Sequence, residues 1–155
     1  MSQLHRVIAL TLAGTALSGC IGFLEPDYLL PAKRLEKVRD LADTYGQDLR
    51  FGRISEAAAF VRREDRKAFL EAFMDVARRV QFTNAEVVNA ESTDSMTVEV
   101  WTRYELFELP SIQVRSLSER QVWHFDPLGR TWQVQPDLSV FTGARSPAGS
   151  APPAS

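Results

Sequence analysis

The amino-acid sequence predicts an α+β fold, with N-terminal helices covering one face of an antiparallel sheet of about four strands. Three observations predict it. Apolar residues recur every three to four positions from Leu35 to Leu49 and again from Phe69 to Ala77, the spacing of a helix with one buried face. From Val80 onward that period disappears, and Val, Thr, Ile, Phe and Trp become frequent, as strands require. Turn residues then interrupt the second half at Ser92-Thr93-Asp94, at Pro110 and at Asp126-Pro127-Leu128-Gly129. Helices followed by consecutive strands give a layered arrangement, because each amphipathic face has to be covered by the other.

Taken in order, Pro31 suits the first turn of a helix, where its missing N–H is not needed. Leu35, Val38, Ala42, Tyr45 and Leu49 form the apolar stripe of that helix; Lys33, Arg34, Glu36, Lys37, Arg39 and Asp43 fill its other side, and Gly52 stops it near Phe51. Ser55 is placed to cap a short helix over Glu56–Phe60. Glu64 and Asp65 open a third helix at the positive end of its dipole, with Phe69, Leu70, Phe73, Met74, Val76 and Ala77 as its apolar face. Strands are expected at about 80–91, 95–108, 111–126 and 131–136. In the turn before the last strand, Pro127 sets φ and Gly129 is free to take a positive φ. Thr142 to Ser155 carries one charge and no large apolar residue, the composition of a disordered tail.

The composition narrows the function classes. Of the 155 residues, 45% are hydrophobic and 25% charged, which describes one globular domain. Eighteen Lys and Arg against 20 Asp and Glu leave a net charge of -2, without the basic excess of a nucleic-acid-binding protein. A single cysteine excludes an intramolecular disulfide and any Cys-pair metal or redox motif.

That cysteine sits in an informative place. Met1 to Arg6 is a short polar start, and Val7 to Leu17 is an uncharged apolar run of 11 residues, too short for a bilayer span of about 20 residues. Leu17-Ser18-Gly19-Cys20 follows. The segment resembles a bacterial lipoprotein signal, whose lipobox is Leu, two small residues and Cys. The resemblance implies cleavage before Cys20, acylation of Cys20, and a membrane held through the N-terminal lipid, since each buried CH2 contributes about 0.8 kcal/mol. By resemblance to enterobacterial lipoprotein sorting, Ile21 rather than Asp after the Cys implies the outer membrane, on its periplasmic side. The organisation expected is therefore a lipoprotein signal peptide at 1–19, a lipid-anchored apolar tether at 20–30, a folded domain at 31–141 and a disordered tail at 142–155. The tether carries Ile21, Phe23, Leu24, Tyr28, Leu29 and Leu30, where such linkers are more often rich in Ser, Gly and Asn. These residues either pack on the domain, bind a partner or dip into the lipid interface.

Further residues carry a second resemblance. The last hairpin pairs Trp123 with the return Gly129-Arg130-Thr131-Trp132-Gln133-Val134, and Leu49-Arg50-Phe51-Gly52-Arg53-Ile54-Ser55-Glu56-Ala57-Ala58 carries Glu-Ala-Ala after a Gly. With three helices ahead of the strands, the pattern resembles the NTF2-like (cystatin-like) superfamily over about Ala32 to Phe141, and small proteobacterial lipoproteins that contain such a domain. The return is one residue longer than the family's short Gly-x-Trp-x-aliphatic pattern. The resemblance implies a curved sheet and a cone-shaped cavity that, in different members, hosts isomerases, hydratases or dehydratases, holds a ligand, or is filled. Fold alone does not choose between them.

After cleavage His124 would be the one remaining histidine, so paired-His zinc sites are excluded. As a general base it would need an orienting carboxylate such as Asp126 or Glu99. Strand alternation argues otherwise: Leu117, Trp123 and Phe125 share one face, and His124 lies on the other with Arg120 and Val122. Trp101, Tyr104, Trp123, His124 and Trp132 are the candidate ligand or interface residues; the alternative for the four aromatics is core, and for Trp101 also cover by neighbouring Arg and Glu side chains. In the second strand Met96, Val98, Val100 and Tyr104 alternate with Trp101 and Phe107. Apolar residues on both faces suggest that the outer face meets a second copy or an envelope protein. Arg62, Arg63, Arg66 and Lys67, with Arg78 and Arg79, are interleaved with Glu64, Asp65, Glu71 and Asp75, as on a solvated, ion-paired face. No catalytic residue, metal or cofactor is assigned. The reading is a non-enzymatic accessory or binding module of the envelope; the alternative is a small-molecule or amphiphile-binding domain, extending to a cavity-based isomerase, dehydratase or hydrolase.

Overall fold

The computed structural model describes residues 30–142. The expected signal peptide at 1–19, most of the expected tether and all but the first residue of the expected tail lie outside the described residues. The chain folds as three helices, four consecutive strands and a last short helix: α1 (Pro31–Arg50), α2 (Ile54–Phe60), α3 (Arg66–Arg79), β1 (Val80–Ser92), β2 (Thr97–Glu108), β3 (Arg115–Asp126), β4 (Thr131–Gln135) and α4 (Ser139–Thr142). The strands form one antiparallel sheet in the order β1-β2-β3-β4, and the helices pack against it. This is the α+β layer arrangement expected from the sequence.

Helix α1 begins as its sequence requires, with Pro31 just inside the start and Arg34 N–H bonding Leu30 C=O at 2.9 Å. It ends in a Schellman motif: Gly52 N–H reaches Leu49 C=O at 3.1 Å, Arg53 N–H reaches Asp48 C=O at 2.8 Å, and Gly52 takes φ 69°. Val38, Ala42, Tyr45 and Leu49 are buried, as the periodicity demands. The helix lies mainly on β1, brought close by Gly46, where an added Cβ would meet the Ala85 Cβ at 3.1 Å. Arg34 corrects the polar-face assignment. It is buried, because its Nη1 donates to Asp94 C=O across 2.6 Å and fixes the first turn of α1 against the β1–β2 turn.

Other local differences have local reasons. Ser55 lies inside α2 while Arg53 occupies the cap position, a shift of the usual boundary size. Asp65 is the N-cap of α3 but spends its carboxylate on Arg62 at 2.8 Å instead of on the helix amides. Phe69, Phe73 and Val76 face the core from α3, whereas Met74 is 58% exposed and Ala77 is also exposed; the stripe is narrower than the apolar composition suggests. Strand β3 starts at Arg115 instead of 111, and Ser111 Oγ accepts the Gln113 N–H at 3.1 Å in a local turn. In the β3–β4 turn the positive φ falls on Arg130, at 51°. Gly129 serves by its lack of a side chain, since a Cβ there would come within 2.7 Å of Asp126 Oδ2.

Two bulges in β1, between Phe82 and Asn84 and between Val87 and Asn89, change which residues face inward and bend the strand. The inner face of β1 is therefore Val80 and Phe82, then Ala85 and Val87, then Ala90, opposite Glu108, Leu106, Tyr104, Thr102 and Val100 of β2. The core lies between this face and the helices. The basic stretch from Arg62 to Arg79 forms ion pairs, Arg62–Asp65 at 2.8 Å and Arg79–Asp75 at 2.9 Å, as expected of a solvated face.

Candidate functional site

The inner face of β3 presents Leu117, Glu119, Gln121, Trp123 and Phe125 in strict alternation. Two of these five are polar, and both are completely buried: Glu119 and Gln121 are each 0% exposed. Burial of a carboxylate is costly unless donors converge on it. Here they do. Tyr104 Oη donates to Glu119 Oε2 at 2.9 Å, and Gln121 Nε2 donates to the same oxygen at 2.8 Å and to Tyr104 Oη at 3.1 Å. Trp123 Nε1 donates to Gln121 Oε1 at 3.0 Å. An indole N–H can only donate, so it fixes the Gln121 amide with its NH2 toward the carboxyl group. The ladder thus runs in one direction, from Trp123 through Gln121 to Glu119.

The ladder leaves loose ends. Tyr45 Oη and Thr102 Oγ1 are buried without completing a hydrogen bond among the described residues, and Glu119 Oε1 has only the approach of the Asp137 backbone. Burial pushes the Glu119 carboxyl up to about 7, while the bonds from Gln121 and Tyr104 and the nearby Asp137 backbone favour the charged form and the charge of Asp137 opposes it. Burial, reinforced by the charge of Glu119, holds the phenols of Tyr45 and Tyr104 well above their ordinary value. At neutral pH the site therefore holds a carboxyl near the midpoint of its titration and two neutral phenols.

Aromatic rings surround this group. Tyr45 meets Trp123 edge-on at 6.3 Å and Phe69 at 6.2 Å; Tyr104 meets Phe82 at 5.6 Å and Phe141 at 5.4 Å. Phe141 comes from α4 and also packs on Phe73 at 5.1 Å, so the C-terminal turn packs over Tyr104. Two surface clefts reach the outer side of these walls. One of about 270 Å³ is lined by Leu49, Phe51, Ile54, Val80, Phe82 and Leu109; another of about 180 Å³ is lined by Val61, Phe69, Gln135 and Leu138. Neither is lined by Glu119, and each is separated from the polar group by a single aromatic contact: Phe82 on Tyr104, and Phe69 on Tyr45.

No family model matches the chain, and no curated protein matches it. Among solved structures it is similar to the crystal structure of a candidate polyketide cyclase from Xanthomonas campestris pv. campestris, at 14% identity and a TM-score of 0.48, covering 66% of this chain and 90% of that one. A likeness of that size assigns neither chemistry nor ligand.

Of the residues singled out in the sequence, the structure brings Tyr104 and Trp123 into the buried group. Trp132 is buried beside Phe125, with ring centroids 5.4 Å apart, away from the carboxyl. Trp101 and His124 lie on the outer sheet face. His124 is half-buried, with Nδ1 3.4 Å from Thr97 Oγ1. Its two proposed carboxylate partners are engaged elsewhere: Asp126 accepts the Leu128 N–H at 3.0 Å, and Glu99 is paired with Arg120. Trp101 stands in register between Asn89 and Arg120 and is only 7% exposed. The exposed large apolar side chains include Met96 and Leu128 at one end of the sheet and Leu109, Ile112 and Val114 at the other.

Sequence reasoning missed Glu119, Gln121 and Tyr45 as a polar group. The signal was present, because the alternation that turned Trp123 and Phe125 inward turns Glu119 and Gln121 inward as well.

Proposed function

We propose that this chain is a lipid-anchored, NTF2-like domain of the bacterial envelope that binds a small, largely apolar molecule carrying one polar group. The observation behind the reading is the Glu119 group: a fully buried carboxyl held by Tyr104, Gln121 and the Asp137 backbone, beside a Tyr45 Oη that has no partner among the described residues, all set among aromatic rings. A buried hydroxyl without a partner is rare in native interiors, and a hydroxyl or carbonyl from a ligand would satisfy Tyr45 Oη. The aromatic walls would supply most of the affinity and the polar pair the orientation. The lipobox residues Leu17, Ser18, Gly19 and Cys20, together with the order of helices and strands, support the anchored, NTF2-like part of the reading.

A cavity-based isomerase or dehydratase is the second reading, and one observation favours it. A carboxyl pushed up to about 7 can hold or release a proton near neutral pH, which is what a general acid or base must do. The full burial of Glu119 and Gln121 weighs against turnover, since a substrate would have to pass Phe141 or Phe69 twice per cycle.

Native mass spectrometry of the full-length protein, extracted in mild detergent, tests both. Binding predicts a small-molecule adduct on the wild type that is lost or weakened in Glu119→Gln and in Tyr45→Phe. A bare protein, or an adduct unchanged in both variants, would refute the ligand reading. A stoichiometric co-purifying protein would instead favour the accessory role. Cys20→Ala should lose the mass of the acyl chains, and an unchanged mass would refute the anchor.

A further inference from the structure

We infer that the end of the domain carrying the β1–β2 and β3–β4 turns rests on the lipid surface, with Leu128 and Met96 inserted at headgroup depth. The inference rests on the lipid-anchored reading above and adds an orientation to it. The two turns share one end, because Thr97 pairs with His124 and Asp126 with Thr131, and Met96 C=O accepts the Phe125 N–H at 2.9 Å. Helix α1 starts at the same end, held there by Arg34 on the Asp94 carbonyl. The described chain therefore begins, at Leu30, beside these turns.

Each turn consumes its own carboxylate and presents an apolar side chain outward. Asp94 Oδ1 accepts the Met96 N–H at 2.6 Å and Asp126 Oδ1 accepts the Leu128 N–H at 3.0 Å. Leu128 is 96% exposed, Met96 43% and Leu30 38%. Charges at this end are mixed, with Asp94 and Asp126 against Arg130 and Lys33, so the contact is apolar and does not depend on anionic lipid.

The chain leading to Leu30 names the occupant. Ten residue steps separate Cys20 from Leu30, a reach of at most about 35 Å when extended. Those residues include Ile21, Phe23, Leu24, Tyr28 and Leu29, which gain more by lying in the interface than by crossing water. An anchor on so short a lead also makes the second contact intramolecular, so two apolar tips suffice to hold an orientation. The opposite end, with Ile112 88% exposed, lies the length of β3 away, about 40 Å, and faces the periplasm.

The test uses the full-length, lipidated protein in phosphatidylcholine vesicles. Acylation occupies Cys20, so a single new cysteine, Leu128→Cys, Met96→Cys or Ile112→Cys, can be labelled with an environment-sensitive fluorophore. Doxyl-labelled lipid should quench the label at 128 and at 96 about twofold or more above that at 112, matching insertion of roughly 5–10 Å. Leu128→Asp, combined with Met96→Cys, should abolish the excess at 96 without disturbing the fold, because the Leu128 side chain touches solvent. Equal quenching at all three positions, or stronger quenching at 112, overturns the orientation while leaving the anchor standing. A protein without acyl chains by intact mass, and without vesicle co-sedimentation, overturns the anchor and the orientation together.

Discussion

Replacing Glu119 by Gln removes a charge from the interior while keeping the shape of the side chain, which makes it the sharpest probe of the buried group. The difference between an ordinary carboxyl at 4.5 and one at about 7 corresponds to about 3 kcal/mol. The sign follows from proton binding. Between those two values the folded protein keeps a proton that the unfolded chain has released, so stability is highest below about 4.5 and falls as pH rises toward 7. Above 7 the full penalty of about 3 kcal/mol is present.

The variant carries no titrating group at this position, so this part of the slope should vanish. An amide oxygen can still accept from Tyr104 and Gln121, and the new NH2 takes the place of Oε1. Relative to wild type, Glu119→Gln should thus gain about 3 kcal/mol between pH 4.5 and pH 8. Asp94 does not confuse the measurement. Its carboxyl is held below the ordinary value, chiefly by the Met96 N–H, so its contribution is present above the ordinary carboxylate range and is lost only as pH falls below it. The two raised phenols titrate far above the window. Urea unfolding of the full-length chain in detergent, followed by its three tryptophans at a series of pH values, reads the difference directly, with m-values reporting any change of unfolded state. A wild type and variant that stay parallel from pH 4.5 to 8 would refute the buried, titrating carboxyl. A wild type that gains on the variant as pH rises would show that the donors outweigh burial.

Two further substitutions probe the walls. Phe141→Ala should cost about 3–5 kcal/mol, since Phe141 is 5% exposed and packs on Phe73, Phe82 and Tyr104; it should also raise binding of an apolar dye, and an unchanged urea midpoint would show that α4 is not seated. Tyr45→Phe deletes a hydroxyl without a partner among the described residues, so the ligand-free protein should change by no more than about 0.5 kcal/mol. A loss above about 1 kcal/mol in the same urea titration would mean that the hydroxyl is bonded.

The layers of the fold were legible because they follow from periodicity. Val38, Ala42, Tyr45 and Leu49 are buried where a 3.6-residue repeat puts them, and Pro31 and Gly52 bound the helix through φ and the missing N–H. The inner face of β3 was legible for the same reason, and it correctly sent His124 outward. The bulges of β1 were not, because no single residue type marks the extra position.

What the sequence concealed was the content of that inner face. Glu119 and Gln121 belong by parity to the row of Trp123, but acidic and amide residues are mostly found outside, so only the apolar members of the row suggest a core. Burial becomes tolerable through Tyr104, and Tyr104 reaches Glu119 only in the actual register, where it stands opposite Leu117. A tight turn at 109–110, as strands at 95–108 and 111–126 imply, would pair Tyr104 with Arg115. That keeps every side chain on its face and still moves the phenol about 7 Å along the strand, away from the carboxyl. The polar group is therefore a property of the loop between β2 and β3 as much as of the residues in it. Lengthening the paired region by two residues would leave the hydrophobic pattern intact and strand Glu119 without its phenol donor.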